Sequence, residues 1–213
     1  MDLDTTRRKT SYQQLIDNFA AHKTDVLVGT QMLTKGLDFD NVGLVAVLNC
    51  DTILNQPDFC SSERAFQMLE QVSGRSGRKH ERGEVMIQTT NPDNNILRLV
   101  ACHDYKAFYS EQVAERQLFR YPPFYRLIYI VISDTDYQRT IHAAEFLQQQ
   151  LKAVFTHRCS AVVDPLVERL YNRYIRQIIL KFERNEAIGQ AKKMIAEQIK
   201  KVNLDKNLKS VRI

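Results

Sequence analysis

The sequence predicts an α/β protein in two parts, an open parallel sheet followed by a smaller β-α-β-β-α-β domain of the ferredoxin-like kind. In the first part, short runs that are apolar on both faces alternate with helical patterns, as in parallel strands joined by crossovers. In the second part, two amphipathic helices separate the strand patterns. A chain of 213 residues with 44% hydrophobic content is long enough to bury a core in each part.

The first part begins with a surface helix, predicted over 10–22 from apolar side chains at helical spacing. Three short apolar runs predict buried strands at 25–30, 42–51 and 83–89. Helical patterns predict helices at 61–72, 94–102 and 104–119. In such sheets ligands bind beyond the carboxyl ends of the strands, so a site is expected in the loops that follow them.

A domain boundary is predicted at 120–125, because the paired prolines Pro122 and Pro123 cannot continue a helix. It separates an α/β domain over 1–119 from an α+β domain over 126–213. In the second domain the strands are predicted at 126–133, 160–164, 174–182 and 209–213. The two helices are predicted at 137–155 and 186–203, and the last strand is expected to be truncated.

Charge and composition limit the classes of function. Residues 1–102 carry a net charge of −2 and residues 103–213 a net charge of +7, which favours a polyanionic partner for the second half. No apolar run reaches the length of a membrane span and the N-terminus is no signal peptide, so a cytoplasmic protein is expected. The four cysteines and five histidines have no metal-ligand spacing, so no metal site is predicted and free thiols are expected.

Two stretches place reactive side chains beside the predicted strand ends. "QVSGRSGR" sets Arg75 and Arg78 three positions apart, on one face of a helix end, with glycines beside them. Guanidinium groups match phosphate geometry, although a solvated helix end is the plain alternative. "GTQMLTKGLDF" follows the first predicted strand and exposes Thr30, Gln31, Lys35 and Asp38.

The order and spacing of these stretches resemble motifs V and VI in the second RecA-like lobe of superfamily 2 helicases. More narrowly, "DVLVGTQMLTKGLDF", "DFCSSERAFQMLEQVSGRSGR", "GEVMIQTTNPD" and "RYPPF" resemble the PriA-type replication-restart helicases, also called primosomal protein N-prime. The resemblance extends through most of residues 1–182. It implies that the first domain is a partial RecA-like lobe, incomplete at its start.

The resemblance also implies roles for individual residues. Arg75 and Arg78 match the arginine fingers of motif VI, which act on ATP phosphates held by another lobe. Gln71, Gly36 and Asp38 match positions that meet the nucleotide. Thr30, with Gln31 and Lys35 beside it, lies where the family touches the DNA backbone.

Several of the family's parts do not occur in this sequence. It has no G-x-x-x-x-G-K-[ST] loop and no DEAH-like box, so ATP and Mg²⁺ are expected to be bound mainly by a first lobe outside this chain. Zinc is expected only in upstream cysteine clusters of the full-length protein. We therefore expect a carboxyl-terminal fragment that does not hydrolyse ATP alone.

In the second domain, "VERLYNRYIRQIILKFER" interleaves cations with tyrosines, which suits phosphate contact and base stacking. The predicted DNA contacts are Arg169, Arg173 and Arg176; an amphipathic strand whose tyrosines pack is the alternative. In the first domain, Asp51, Asp58 and Glu63 are interpreted as structural or interdomain carboxylates, including an ion pair to Arg64.

The predicted function is the carboxyl-terminal part of an ATP-dependent 3′-to-5′ DNA helicase that restarts stalled replication forks in primosome assembly. DNA is the expected partner, in forked, duplex and single-stranded form. Single-strand-binding protein and other primosome proteins follow from the resemblance alone. The alternative is a stand-alone nucleic-acid-binding or scaffold module without an ATPase role.

Overall fold

The computed structural model describes residues 9–30, 42–74 and 83–213. The chain forms two compact units, residues 1–110 and residues 111–213, and the division falls within one helix, Tyr105–Leu118. The predicted proline-rich linker at 120–125 follows that helix and contains a cis peptide bond between Pro122 and Pro123. The linker's role as a domain boundary stays a prediction.

The first unit contains a pair of parallel strands and the helices between and after them. Its elements are α1 (Lys9–Ala20), β1 (Leu44–Val47), α2 (Asp51–Leu54), α3 (Ser61–Ser73), β2 (Glu84–Ile87), α4 (Asn95–Ala101) and α5 (Tyr105–Leu118). Strands β1 and β2 pair in parallel, with Leu44 opposite Glu84 and Val47 opposite Ile87. The parallel pairing and the intervening helix agree with the prediction, because parallel neighbours require a crossover connection.

The core of the first unit lies around α3. Its apolar residues recur at helical spacing and bury Phe66 and Leu69 against α4 and α5. The ring of Phe66 stacks on that of Phe108, with the ring centroids 4.1 Å apart. Because this stripe is fixed in the core, the end of α3, where the arginine motif begins, has a defined position in the unit.

Two sequence predictions fail in this unit. Residues 25–30 form no strand, and Val26 and Val28 are 73% and 68% exposed. Strands β1 and β2 are also not buried on both faces, since Leu44 and Met86 are 52% and 60% exposed. A strand forms only when its backbone groups pair with a neighbour, and within the described ranges this sheet offers no third strand to pair with 25–30.

The second unit is a four-stranded antiparallel sheet with two helices. Its elements are β3 (Tyr125–Asp134), α6 (Tyr137–Phe155), β4 (Cys159–Val163), β5 (Arg169–Leu170), β6 (Arg173–Glu183) and α7 (Ile188–Leu204). The strand order is β3-β6-β4, and β5 forms a short hairpin with β6. The predicted bounds of α6 are confirmed, and those of α7 are within two residues.

The predicted last strand, 209–213, is reduced to a single antiparallel bridge between Arg212 and Ser133. Because Ser133 also pairs with Ile175 of β6, the bridge lies on the free edge of β3. If residues 209–213 are called the final segment, the order across the sheet is final segment, β3, β6, β4. This is the order of a split βαβ fold, so the ferredoxin-like prediction is confirmed.

Helices α6 and α7 cover one face of this sheet. Ile132 and Ile178 from the central strands are fully buried with Leu147 and Leu151 of α6 and Val202 of α7. This alternation, with one face buried and the other partly solvated, is typical of antiparallel sheets. None of the helices in the described ranges is long and apolar enough to cross a membrane.

Candidate nucleotide and nucleic-acid interface

Most of the residues predicted to contact nucleotide or DNA in the first unit lie outside the described ranges. These residues are Gln31, Lys35, Gly36, Asp38, Arg75 and Arg78. Thr30, which is described, is exposed at the end of the segment that follows α1. Gln71 is half-buried in the last turn of α3. The roles assigned to all of them stay predictions.

The end of α3 is held by hydrogen bonds just before the arginine motif. The helix ends at Ser73, whose hydroxyl donates to the carbonyl of Leu69 over 2.9 Å. Gly74 caps it, with its N–H 3.0 Å from the carbonyl oxygen of Glu70. Since Leu69 and Val72 are buried on the same helix, the motif begins from a fixed point.

Asp51 joins the carboxyl ends of the two parallel strands. Its carboxylate accepts hydrogen bonds from the Thr89 hydroxyl (2.6 Å) and from the hydroxyl and N–H of Thr90 (2.7 and 2.8 Å). The bond from Thr89 and those from Thr90 hold the pKa of Asp51 below its ordinary value. This geometry agrees with a structural carboxylate. The pair that was predicted between Arg64 and one of three carboxylates of the first unit is formed by Asp58.

In the second unit, the predicted DNA-binding segment forms the β5–β6 hairpin. Its two turn residues, Tyr171 and Asn172, both have positive φ (47° and 61°), as a two-residue hairpin turn of type I′ requires. Tyr171 is 91% exposed at the tip. The exposed Arg169 donates to the Asn172 side chain, and its guanidinium lies 5.0 Å from the ring centroid of Tyr174.

Arg173 is half-buried and contacts protein oxygens. Its Nη2 lies 2.8 Å from the carbonyl oxygen of Ser133 and 3.3 Å from that of Ser210. The guanidinium therefore ties the final segment of the chain to β3. The DNA contact predicted for Arg173 from the sequence stays a prediction.

Arg176 is buried, with 5% of its surface exposed. Its Nε lies 2.9 Å from an Asp164 carboxylate oxygen and its Nη1 2.8 Å from the carbonyl oxygen of Ile175. The guanidinium also lies 5.2 Å from the ring centroid of Tyr137. A phosphate would have to displace these partners, which favours a packing role for Arg176, and its predicted DNA contact stays a prediction.

Asp134 is the buried centre of the same region, 1% exposed. Its carboxylate accepts from the Ser210 hydroxyl (2.6 Å) and the Asp136 N–H (2.9 Å) and faces Arg139 at 3.3 Å. Burial alone would raise the pKa of Asp134, but these hydrogen bonds and the charges of Arg139 and Arg173 outweigh it and lower the pKa. Asp134 and Arg173 thus both anchor the final segment.

The free positive charge of the second unit is concentrated at its carboxyl-terminal end, which the sequence reasoning missed. Residues 188–213 hold seven Lys and Arg residues against two carboxylates, a net charge of +5. The sequence contains a pattern that predicts this basic surface, because Lys193 and Lys200 of the predicted last helix occupy positions opposite its apolar face. The alternation of tyrosine and arginine in the hairpin predicted cations that are less available to a ligand, because Arg173 and Arg176 contact protein groups.

No metal centre is found within the described ranges, where no cluster of His, Cys, Asp and Glu could hold an ion. The four cysteines are free thiols, as predicted.

Comparison with known proteins gives matches to both units. The family description "Helicase conserved C-terminal domain" matches residues 2–80, and "Primosomal protein N C-terminal domain" matches residues 117–213. "Replication restart protein PriA" of Bacillus subtilis is 40% identical over 207 residues, covering 94% of this chain and 25% of the relative. The protein of the same name from Synechocystis is 40% identical over 184 residues, covering 85% of this chain and 22% of the relative.

A third protein of that name, from Chlamydia pneumoniae, is 48% identical over 128 residues, which are 60% of this chain and 17% of the relative. The chain thus spans about a quarter or less of the length of the curated relatives described here.

Proposed function

The chain belongs to the PriA family of replication restart proteins, and from this premise we propose that it is the carboxyl-terminal part of an ATP-dependent DNA helicase acting at stalled replication forks. The resemblance predicted from the motifs is thereby confirmed. The observation that carries the proposal is that a helicase match and a primosomal match follow one another on a single chain. A helicase domain alone would leave the biological role open.

Within that function, Arg75 and Arg78 act as arginine fingers. A guanidinium keeps its charge at every physiological pH and offers planar, paired donors, which suits it to the charge that develops on a transferred phosphoryl group. Gln71, Gly36 and Asp38 also contact the nucleotide. ATP with Mg²⁺, when bound, supplies the phosphoanhydride whose hydrolysis drives strand separation, and the residues that hold most of it belong to another lobe.

The DNA-binding part of the proposal assigns Thr30, Gln31 and Lys35 to the backbone of the tracked strand, with 3′-to-5′ polarity. The second unit binds DNA at the fork, which agrees with the +7 net charge of residues 103–213. Arg169 remains a candidate contact there, because it is exposed. Single-strand-binding protein and other primosome components are proposed as protein partners on the basis of family membership.

A chimeric enzyme tests this proposal. This chain would replace the matching carboxyl-terminal segment of the Bacillus subtilis relative, to which it is 40% identical over 207 residues. We expect the chimera to hydrolyse ATP when DNA is added and to unwind a model fork, with ATP and DNA binding measured in parallel. A folded chimera that binds both ligands but has no DNA-stimulated turnover would favour a nucleic-acid-binding module without an ATPase role.

A further inference from the structure

The distribution of paired and unpaired cations in the second unit locates a surface for polyanions. Most of the arginines in its sheet and hairpin contact protein groups, as Arg173 contacts Ser133 and Arg176 contacts Asp164. In contrast, five exposed side chains of the last helix and the segment after it have no carboxylate within 4 Å among the described residues: Lys192, Lys193, Lys200, Lys206 and Lys209. Exposed cations without partners are the ones that can exchange counterions for phosphates.

Two lysines of α7 lie on the side of the helix opposite its buried face. Lys193 and Lys200 are seven residues apart, which places them on the same stripe about 10.5 Å apart along the axis. Val202, on the opposite side, is fully buried in the core, so the lysine stripe faces solvent. Glu197 is the one carboxylate of α7, and the helix keeps a net charge of +3.

The segment after α7 adds two lysines, Lys206 and Lys209, and is held in place by contacts with the rest of the unit. Leu208 is buried, the Ser210 hydroxyl donates to Asp134, and Arg212 forms a backbone bridge with Ser133. Arg173 also donates to the carbonyl of Ser210. Because these contacts fix the backbone around Lys209, the cations of 205–213 are displayed at defined positions.

The composition of residues 188–213 favours duplex DNA over a single strand. This segment contains no Phe, Tyr or Trp, so it offers no ring on which an unpaired base could stack. Lysines contact phosphates as point charges and do not read base edges in the paired manner of arginine. A surface of this kind binds the backbone of a duplex with little dependence on sequence.

We propose that the solvent-facing side of α7 and residues 205–213 form the surface on which the second unit binds a duplex arm of the fork, and that Arg173 positions this surface without touching DNA. The inference rests on the proposed DNA-binding function and specifies its location. We call these residues, with Lys192, Lys193, Lys200, Lys206 and Lys209 as the contacts, the α7 basic surface.

Salt titrations with the whole 213-residue chain test the assignment, using fluorescence anisotropy on a labelled 20-base-pair blunt duplex. The two pairs Lys193→Gln with Lys200→Gln and Lys206→Gln with Lys209→Gln each remove two contacts. Each pair should weaken binding by about tenfold to a hundredfold at ~50 mM salt and lower the log–log salt slope by about 1.8. The matched control, Lys23→Gln with Lys106→Gln, removes two exposed charges from the first unit and should leave the slope unchanged.

The other outcomes are distinguishable. If the control pair weakens binding equally, only net charge matters and the surface assignment is wrong. If Arg169→Ala lowers the slope while both lysine pairs leave it unchanged, the DNA-binding function stands and this location fails. If the wild-type chain has no affinity for duplex, single-stranded or forked DNA at low salt, the DNA-binding function of the second unit fails too.

A competitor separates DNA from acidic protein segments. Poly-glutamate at the same charge concentration should displace the duplex only weakly, because its charges do not follow the geometry of a duplex backbone. Displacement as effective as that by unlabelled duplex would overturn the proposal in favour of an acidic peptide.

Discussion

Some charged residues of the second unit have structural roles that their residue types alone do not indicate. Asp134 is a buried carboxylate on β3 whose partners come from the start of α6 and from the final segment. Arg176 is a buried guanidinium paired with Asp164. Sequence patterns cannot distinguish such residues from exposed ones, because the burial of a charge depends on partners far away in the chain.

The substitution Asp134→Asn should lower the free energy of unfolding at pH 7 by about 2 kcal/mol, since hydrogen bonds to a buried charge are lost. The folded-state pKa of Asp134 lies below its ordinary value of 3.8, so its contribution is present above that pH. It is lost as the pH falls through the folded-state pKa. Denaturant titrations should therefore show a constant deficit from pH 5 to 8 that shrinks below about pH 4.

The matched control is Asp136→Asn, the same chemical change two positions away. Asp136 caps α6 by accepting from the Arg139 N–H over 2.8 Å, and asparagine caps a helix equally well. This variant should be close to wild type at every pH. Equal losses in the two variants would contradict a special role for the buried carboxylate.

Tyr171 gives a second prediction at this scale. It occupies the left-handed region at φ 47°, where asparagine is favoured over an aromatic residue, and its side chain is 91% exposed. Tyr171→Asn should therefore raise the free energy of unfolding by about 0.5–1 kcal/mol. Tyr171→Val, which is disfavoured at positive φ, should lower it in the same urea titration. A loss of stability with asparagine would show that the ring makes contacts that offset the strain.

At the scale of elements, the helices were the most predictable part of this protein. The amphipathic patterns placed α3, α6 and α7 within two residues of their observed bounds, because helical periodicity is a local property of the sequence. Strands were less predictable, since each needs a pairing partner that periodicity does not supply. The strands predicted at 25–30 and 209–213 illustrate this, because neither segment forms a strand in the described structure.

The candidate site was predicted to a different extent in each unit. The motif residues of the first unit were identified by spacing and family resemblance, which depend only on the order of residues. In the second unit, the hairpin arginines were chosen by composition, and two of the three, Arg173 and Arg176, contact oxygens of residues outside the hairpin. Their partners, Ser133, Ser210 and Asp164, lie up to 40 positions away along the chain, beyond the reach of a local pattern.

An element-scale prediction concerns how the final segment is held. Arg173→Ala removes the donor that joins Ser210 to β3, so the amides of 205–213 should exchange faster with deuterium while those of α6 keep their protection. The free energy of unfolding should fall by about 1–3 kcal/mol. Arg169→Ala, on the same hairpin but exposed, serves as the control and should alter neither quantity. Unchanged exchange in 205–213 after Arg173→Ala would contradict the anchoring role.

For the whole molecule, the two units match two different family descriptions. The first unit carries the helicase match and the arginine motif, and the second carries the primosomal match and most of the positive charge. Each unit has its own core. The chain spans a quarter or less of its described relatives, and the proposed activity requires the part that holds the P-loop.

The central claim is that Arg78 stabilises the transition state of ATP hydrolysis, and kcat of the DNA-stimulated chimera measures it directly. Arg78→Ala should lower kcat by about 10³ to 10⁵, the effect of removing an arginine finger, while ATP binding and DNA binding remain near the values of the unsubstituted chimera. Arg78→Lys should recover little, because a lysine lacks the planar pair of donors. If kcat holds in Arg78→Ala and only KM rises, Arg78 is a ground-state contact and the role assigned to it is contradicted.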